Sequence, residues 1–308
     1  MPDKPAAEVR IDEHLIRQLL AAQATGAVPD APDLPLVKVA EGWDSEVWRL
    51  GERYAVRLPR RALAAPLVLH EQLVLPDMAE RLTLVGVRVP APVVAGTPAA
   101  GFPWAWSVVP WIDGDRGIDV PRRARHGWAE PLAAALRELH IEAPEGHPVN
   151  PVRGQALATR APAFRDRLGA LRDAEAIDPA TAELLEDAWH AGLSAAAWSR
   201  APVWIHGDLH PGNLVSHDGG LAGIIDFGDV TAGDPAYDLA VAWLAFDAGG
   251  RARFRAATGG RYDAATWCRA RAWAAAVVLM LLLHSDDDPD YRALGTHAAA
   301  EVIAADGA

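Results

Sequence analysis

Residues 204–228 read WIHGDLHPGNLVSHDGGLAGIIDFG, and no other stretch of the chain holds so much chemistry in so short a span. An apolar run, Val203 to Ile205, leads into a His206-Gly207-Asp208 turn. A short Pro211-Gly212 loop follows and sets Asn213 five residues beyond Asp208. Asp226 then stands at the end of a second apolar run. Short apolar runs bounded by Gly, Asp and Asn read as strands joined by tight turns. Two carboxylates and one amide are thereby delivered from loop ends to one small volume. Asp226 and Asn213 offer the oxygens that suit Mg²⁺, which takes one or two carboxylates besides phosphate oxygens and water. Asp208 is left over as a proton acceptor. Taken singly, each of these residues is an ordinary turn or cap residue; their order is what makes them informative.

Outward from this stretch, the two sides of the chain differ. Upstream, Ile11, Leu15, Ile16, Leu19 and Leu20 have helical spacing and predict a helix over 11–24. Short β-like runs predict strands over 36–40, 47–50 and 54–58, punctuated by EGWDSE (41–46) and Gly51-Glu52-Arg53. Helical spacing returns over 64–82, where Pro66 and Pro76 blur the limits, and strands are expected over 92–95 and 104–109. From about residue 122 the chain reads as helices at 128–140, 155–172, 180–198, 235–248 and 264–284, interrupted by the β-rich segment 203–229. The class is α+β: a small sheet with one inserted helix over 1–110, then a larger, mainly helical lobe over 111–308. The hinge is Val108 to Gly114, and a ligand site is expected between the lobes.

Composition narrows the function. The chain has 308 residues, 51% hydrophobic and 23% charged, with 29 Lys+Arg against 41 Asp+Glu for a net charge of −12. This excludes wholesale disorder and a coiled coil. It also lacks the positive field that a nucleic-acid partner requires. Cys268 is the single cysteine, so neither an internal disulfide nor a cysteine-based zinc site is expected. The first residues, MPDKPAAEVR, have no apolar run of signal-peptide type. The longest apolar run, Ala272 to Leu283, is shorter than the ~20 residues of a membrane span and reads as a core helix. A cytoplasmic protein with no membrane partner is expected.

The order Asp-Leu-x-x-x-Asn, then Asp-Phe-Gly, each behind an apolar strand, is the protein-kinase signature set. In detail the sequence resembles the aminoglycoside phosphotransferase family, including its macrolide phosphotransferase branch. The resemblance is carried by HGDLHPGN (206–213), IIDFGD (224–229) and GDPAYDLA (233–240), and upstream by EGWDSEVWRL (41–50) and YAVRLPRR (54–61). It implies a bilobal protein-kinase-like fold, with Asp208 as catalytic base and Asn213 and Asp226 as Mg²⁺ ligands. His206 would hold the catalytic loop. His210, where protein kinases usually have a lysine, would face substrate or pack, and Asp229 would lie on the substrate side. Asp234 and Asp238 would cap and anchor the next helix.

On the nucleotide side, Gly42 and Ser45 lie in the EGWDSE turn, where a kinase places its phosphate-covering loop, here with one glycine. Arg57 stands where the family's phosphate-binding lysine is usual. It is a planar, permanently charged fork that binds phosphate bidentately. Glu71 is its expected helix partner, better placed than Glu80, and Lys38 is the rival cation. For the purine edge the resemblance assigns the Pro110 carbonyl as acceptor and the Ile112 amide as donor.

The expected reaction is transfer of the γ-phosphoryl group of ATP or GTP to a hydroxyl of a small molecule, by resemblance an antibiotic. YAVRLPRR leans to a macrolide, the acidic Asp286-Asp287-Asp288 run to a polycationic aminoglycoside, and Trp43, Trp104, Trp106 and Trp111 to a bulky, less polar acceptor. A metabolic kinase of homoserine, choline or a sugar amine shares the same motifs, and a non-catalytic nucleotide-binding protein is the remaining alternative. A protein kinase is excluded because only residues 227–233 separate Asp226 from Asp234-Pro235, too few for an activation loop.

Overall fold

The structure, a computed structural model, describes residues 6–304. Asp12 caps α1 (Glu13–Gln23) by accepting from the Leu15 N–H. The periodic residues Ile16, Leu19 and Leu20 then face the N-lobe sheet and are fully buried. That sheet is antiparallel and five-stranded: β1 (Leu36–Glu41), β2 (Ser45–Leu50), β3 (Tyr54–Pro59), β4 (Val94–Gly96) and β5 (Trp106–Pro110), in the order β1-β2-β3-β5-β4. Between β3 and β4 runs α2 (Ala65–Leu84). Pro66 falls in its first turn, where no N–H is needed, while Pro76 lies inside the helix and gives up one bond to the preceding turn. The Gln72 side chain ties α2 to β5 by donating to the Trp106 carbonyl at 2.8 Å.

The buried face of α2 divides its loyalties. Val74, Leu75, Met78 and Leu82 belong to the larger hydrophobic cluster of the C-lobe, not to the cluster under the N-lobe sheet. Arg88, just after α2, also exchanges backbone bonds with Ala222 and Ile224. The lobes are thus joined twice, at the hinge and behind α2.

In the C-lobe come β6 (Asp115–Arg116), α3 (Ala129–Leu139), α4 (Ala161–Asp173), α5 (Pro179–Ser194), β7 (Val203–Ile205), β8 (Leu214–His217), β9 (Gly220–Ile224) and β10 (Thr231–Gly233). Strand β7 pairs with β10, and β8 lies between β6 and β9, all antiparallel. The single helix expected over 235–248 is two short ones, α6 (Ala236–Leu239) and α7 (Val241–Ala245). Phe246 turns extended, and Asp247 starts α8 (Ala248–Ala257), accepting from the Gly250 N–H. The helix expected over 155–172 begins later, after a 3-10 turn at Leu157–Arg160. Helix α9 (Ala264–His284) is the one described helix long and apolar enough to cross a membrane, and here it is packed among α4, α5, α6 and α10 (Pro289–Ile303). Gly295 permits the close approach of α10, because a Cβ there would meet the Leu281 Cβ at 2.9 Å.

Candidate active site

The turn after β7 is held from below by one carboxylate. Asp238 is completely buried and accepts from the backbone N–H groups of His206 at 2.7 Å and Gly207 at 3.0 Å. His140 adds a third contact at 3.1 Å and touches Tyr262 on its other nitrogen. Asp238 therefore anchors the loop that carries Asp208. Only Asp234 does the capping expected of both, accepting from the Ala236 N–H and pairing with Arg269. His206 is the expected scaffold residue. Its Nε2 donates to the Ile225 carbonyl at 2.9 Å and its Nδ1 accepts from the Asp208 N–H at 3.2 Å. Gly207 has φ +83°, and a Cβ on it would lie 2.5 Å from the Asp229 carbonyl oxygen, so both conformation and space demand glycine.

Asp208 emerges from this loop with its carboxylate surrounded by donors. Asn213 donates through Nδ2 to the Asp208 carbonyl at 2.8 Å and reaches its side chain at 3.4 Å. His210 Nε2 stands 3.5 Å from Oδ2, while its Nδ1 accepts from the Gly212 N–H. His210 packs edge-on against Tyr291 of α10, the packed one of its two expected environments, and it borders Asp208. Arg153 supplies the remaining contact, Nη2 to Oδ1 at 3.2 Å. Burial alone raises the Asp208 pKa, but the hydrogen bond and charge of His210, followed by Arg153, outweigh it and hold the carboxyl well below the usual range.

Arg153 is the site residue that sequence reading missed. It bridges Asp208 to Asp229, whose Oδ2 lies 3.0 Å from Nε, and its Nη1 donates to the Tyr237 hydroxyl at 2.5 Å. Asp229 spends its other oxygen on Asn150 at 2.8 Å. Both oxygens of Asp229 are therefore occupied by protein groups. Tyr237 and Tyr291 also went unnoticed. The one available signal for Tyr237 was its place within GDPAYDLA, and for Tyr291 the Asp288-Pro289 helix start.

Asn213 and Asp226 reach the same end of the β8–β9 hairpin because Leu214 pairs with Ile224 and the Ile225 N–H donates to the Asn213 carbonyl at 2.9 Å. Asp226 is left-handed, φ 63°, and its side chain is half exposed. Its Oδ1 accepts from Arg57 Nη2 at 3.1 Å. Arg57 Nη1 in turn lies 3.1 Å from Glu71 Oε1. Burial works against the Arg57 charge, and Glu71 and Asp226 more than offset it. Burial pushes the Glu71 carboxyl up to about 7, against the pull of Arg57. Among the described residues no group of three His, Cys, Asp or Glu side chains forms a metal cluster. One carboxylate and one amide, with Asn213 Nδ2 turned to Asp208 so that its Oδ1 is spare, instead fit a Mg²⁺ ion that completes its shell with water and phosphate.

The hairpin tip between β1 and β2 is closed by Gly42, whose N–H donates to the Ser45 carbonyl at 2.9 Å. Arg60 and Arg61, the pair that ends YAVRLPRR, clamp it through Glu41 and Asp44. Lys38 pairs with Glu41 and Glu46, so it stands with the hairpin carboxylates, while Arg57 holds the Asp226 side. At the hinge, the Trp111 N–H donates to Arg53 of the neighbouring edge at 2.7 Å. Across the same trans peptide the Pro110 carbonyl points the other way, away from Arg53. Trp106 is core, Trp43 is exposed at the hairpin tip, and Trp111 lies under the Arg49 guanidinium. Of the acidic run, Asp286 pairs with Arg292 and Asp288 caps α10.

No curated protein sequence matches the chain. Among solved structures, the GDP complex of aminoglycoside 2'-phosphotransferase-IIIa superposes with a TM-score of 0.65 at 20% identity, covering 93% of this chain and 98% of that one. Macrolide 2'-phosphotransferase MphH from Brachybacterium faecium gives 0.58 at 22% identity, over 91% and 97% of the two chains. ADP-bound aminoglycoside phosphotransferase APH(2'')-Ib gives 0.57 at 18%, over 96% and 100%. The fold is therefore the bilobal kinase-like one. The profile of the phosphotransferase enzyme family matches residues 35–273, through both lobes and every motif described above, and the chain belongs to that family.

Proposed function

We propose that this enzyme transfers the γ-phosphoryl group of ATP or GTP to a hydroxyl of a small molecule, with antibiotics as the first acceptor class to test. The observation that carries the reading is the convergence of Asp208, Asn213 and Asp226 at one end of the β8–β9 hairpin, with Arg57 fixed between Asp226 and Glu71. The nucleotide and antibiotic complexes known for proteins of similar fold support it.

Asn213 and Asp226 hold Mg²⁺, which when bound neutralises charge on the β- and γ-phosphate oxygens. Arg57 orients the phosphates, and Pro110 and Ile112 meet the purine edge. Asp208 accepts the hydrogen bond of the attacking hydroxyl and aims its oxygen at the γ-phosphorus. The new O–P bond forms as the bond to the β-bridging oxygen breaks, the nucleoside diphosphate leaves, and the hydroxyl proton passes through Asp208 to water. A carboxylate as acidic as Asp208 suits this positioning role, because a loose phosphoryl transition state needs little proton removal.

The test is Mg²⁺-dependent turnover of ATP and of GTP by the purified chain. The acceptor panel comprises aminoglycosides, macrolides and nucleoside antibiotics beside homoserine, choline and sugar amines, with a resistance screen in a sensitive host. Acceptor-stimulated turnover that disappears in Asp208→Asn supports the reading. Nucleotide binding with no turnover for any acceptor removes it.

A further inference from the structure

The β1–β2 hairpin, the expected phosphate-covering element, has an acidic tip: Glu41, Asp44 and Glu46 all fall within residues 41–46. Polyphosphate brought beneath such a tip meets like charge unless each carboxylate is held by a cation. Arg60 and Lys38 hold Glu41 and Glu46. Asp44 has a different partner, Arg61, whose Nη2 reaches its Oδ1 at 2.5 Å. Asp44 is also near enough to Arg57 for its charge to support that guanidinium, so it stands between two arginines on the phosphate side of the hairpin. Its own side chain is 45% exposed and within reach of solvent, while that of Arg61 is 18% exposed. Arg57 already gives Nη1 to Glu71 and Nη2 to Asp226. The Arg61 side chain has spent only Nη2, and its buried Nε has no partner among the described residues. A guanidinium offers five N–H donors in a fixed fork, so one carboxylate oxygen leaves most of its capacity unused. Phosphate oxygens match that fork bidentately.

We propose that Arg61 is a second phosphate-binding residue for the nucleotide, held by Asp44 in the empty cleft and released to the polyphosphate when nucleotide enters. The inference rests on the nucleotide half of the phosphotransferase reading above. It differs in sign from a structural clamp. In a clamp, Arg61 and Asp44 act as one unit, and loss of either partner loosens the tip alike. In an exchange the two partners oppose each other, because Arg61 attracts phosphate and Asp44 competes with phosphate for Arg61.

The test is titration of ATP, GTP and their diphosphates, each with Mg²⁺, and of adenosine and guanosine. The Kd values are measured on the full chain and on its Arg61→Gln, Arg61→Lys and Asp44→Asn variants, with unfolding midpoints to verify that each variant folds. Arg61→Gln is expected to weaken the preferred nucleoside triphosphate by ~10-fold or more, the usual size of a lost charge-assisted contact. Arg61→Lys keeps the charge without the fork and should lose less. Asp44→Asn should shift the affinity the other way, tightening it by about 3-fold or more. The nucleosides, which carry no phosphate, should bind all four proteins alike. A loss that spares the diphosphate assigns Arg61 to the γ-phosphate, and an equal loss in both assigns it to the β-phosphate. Weakening by both Arg61→Gln and Asp44→Asn, an unchanged affinity in either, or a nucleoside that responds like its nucleotide overturns the inference. No nucleotide binding by the wild type overturns it together with the reading it rests on. The two otherwise fail separately: opposed shifts without turnover of any acceptor leave Arg61 as a phosphate contact and remove the phosphotransferase, whereas turnover with parallel shifts removes only the role of Arg61.

Discussion

Arg57 and Glu71 face one another at 3.1 Å across the β3–α2 interface, Glu71 buried and Arg57 largely covered. The pair joins the central N-lobe sheet to the helix that also packs on the C-lobe, and through Arg57 it extends to Asp226. An arginine here does more than a lysine could, because its fork reaches Glu71 and Asp226 with separate nitrogens. Arg57→Ala is therefore expected to raise the nucleotide KM and lower kcat by ~10-fold or more, since it removes a charge-assisted contact worth about 1.5–3 kcal/mol. Lys38→Ala, which loses contacts with Glu41, Glu46 and the Trp48 ring but none with Asp226, should leave both within a factor of about two, and its half-exposed pair with Glu41 is worth ~0–1 kcal/mol. Steady-state kinetics of the two variants side by side decide the matter, and the reverse pattern would reassign the phosphate contact to Lys38.

Asp208→Asn should lower kcat by ~10²–10⁴ while nucleotide affinity changes little, because the acceptor is no longer aimed. Asp226→Ala should weaken Mg²⁺-dependent nucleotide binding and turnover together. Titrating nucleotide into each variant with and without Mg²⁺ separates the two roles.

The acid side of the pH profile should belong to Glu71. Its carboxyl is raised to about 7 by burial, so it gains a proton as pH falls through that value and its attraction for Arg57 is lost. Asp208, held far below the usual carboxylate range, stays ionised throughout. The nucleotide kcat/KM should therefore decline below about pH 7 in the wild type. In Glu71→Gln it should be lower at pH 8 and nearly flat from there down to about pH 5.5, which is still above the ordinary carboxylate pKa of ~4.3. A wild-type profile flat to pH 5 would contradict this assignment.

Arg153→Ala should free Asp208 and Asp229 at once. The expectation is a kcat decrease of ~10–100-fold with an unchanged nucleotide KM, as a misplaced catalytic group costs about two decades. The Asp208 carboxyl also loses a neighbour that keeps it ionised, so its own titration, followed by NMR, should move to higher pH while the acid limb of kcat/KM stays with Glu71. Arg153→Lys restores charge without the fork and should recover that titration better than the rate.

Asp238→Ala removes a buried acceptor from two backbone N–H groups, each costing about 1–3 kcal/mol when left unsatisfied. A loss of stability of roughly 2–4 kcal/mol is expected in denaturant unfolding. Asp234→Ala, which loses a partly exposed cap and ion pair, should cost less.

What the sequence determined by itself was local or periodic. Short apolar runs set off by turn residues predicted β1, β2 and β3, and the apolar spacing of Ile16, Leu19 and Leu20 predicted α1, because both signals lie in consecutive residues. Asp208, Asn213 and Asp226 were legible because all three lie on one strand–loop–hairpin unit, so their spacing along the chain is nearly their spacing in space. Helices α8 and α10 were not legible: Gly249, Gly250 and Gly295 and their small neighbours carry no apolar stripe, and tertiary packing supplies their stability. The role of Asp238 depends on a contact 32 residues back along the chain, and that of Arg153 on contacts with Asp208, 55 residues on, and Asp229, 76 residues on. Nothing in the sequence around Arg153 separates a guanidinium buried against a carboxylate from one left in water. Only the tertiary structure decided that, because desolvation and Coulomb attraction act through space and leave no period in the sequence.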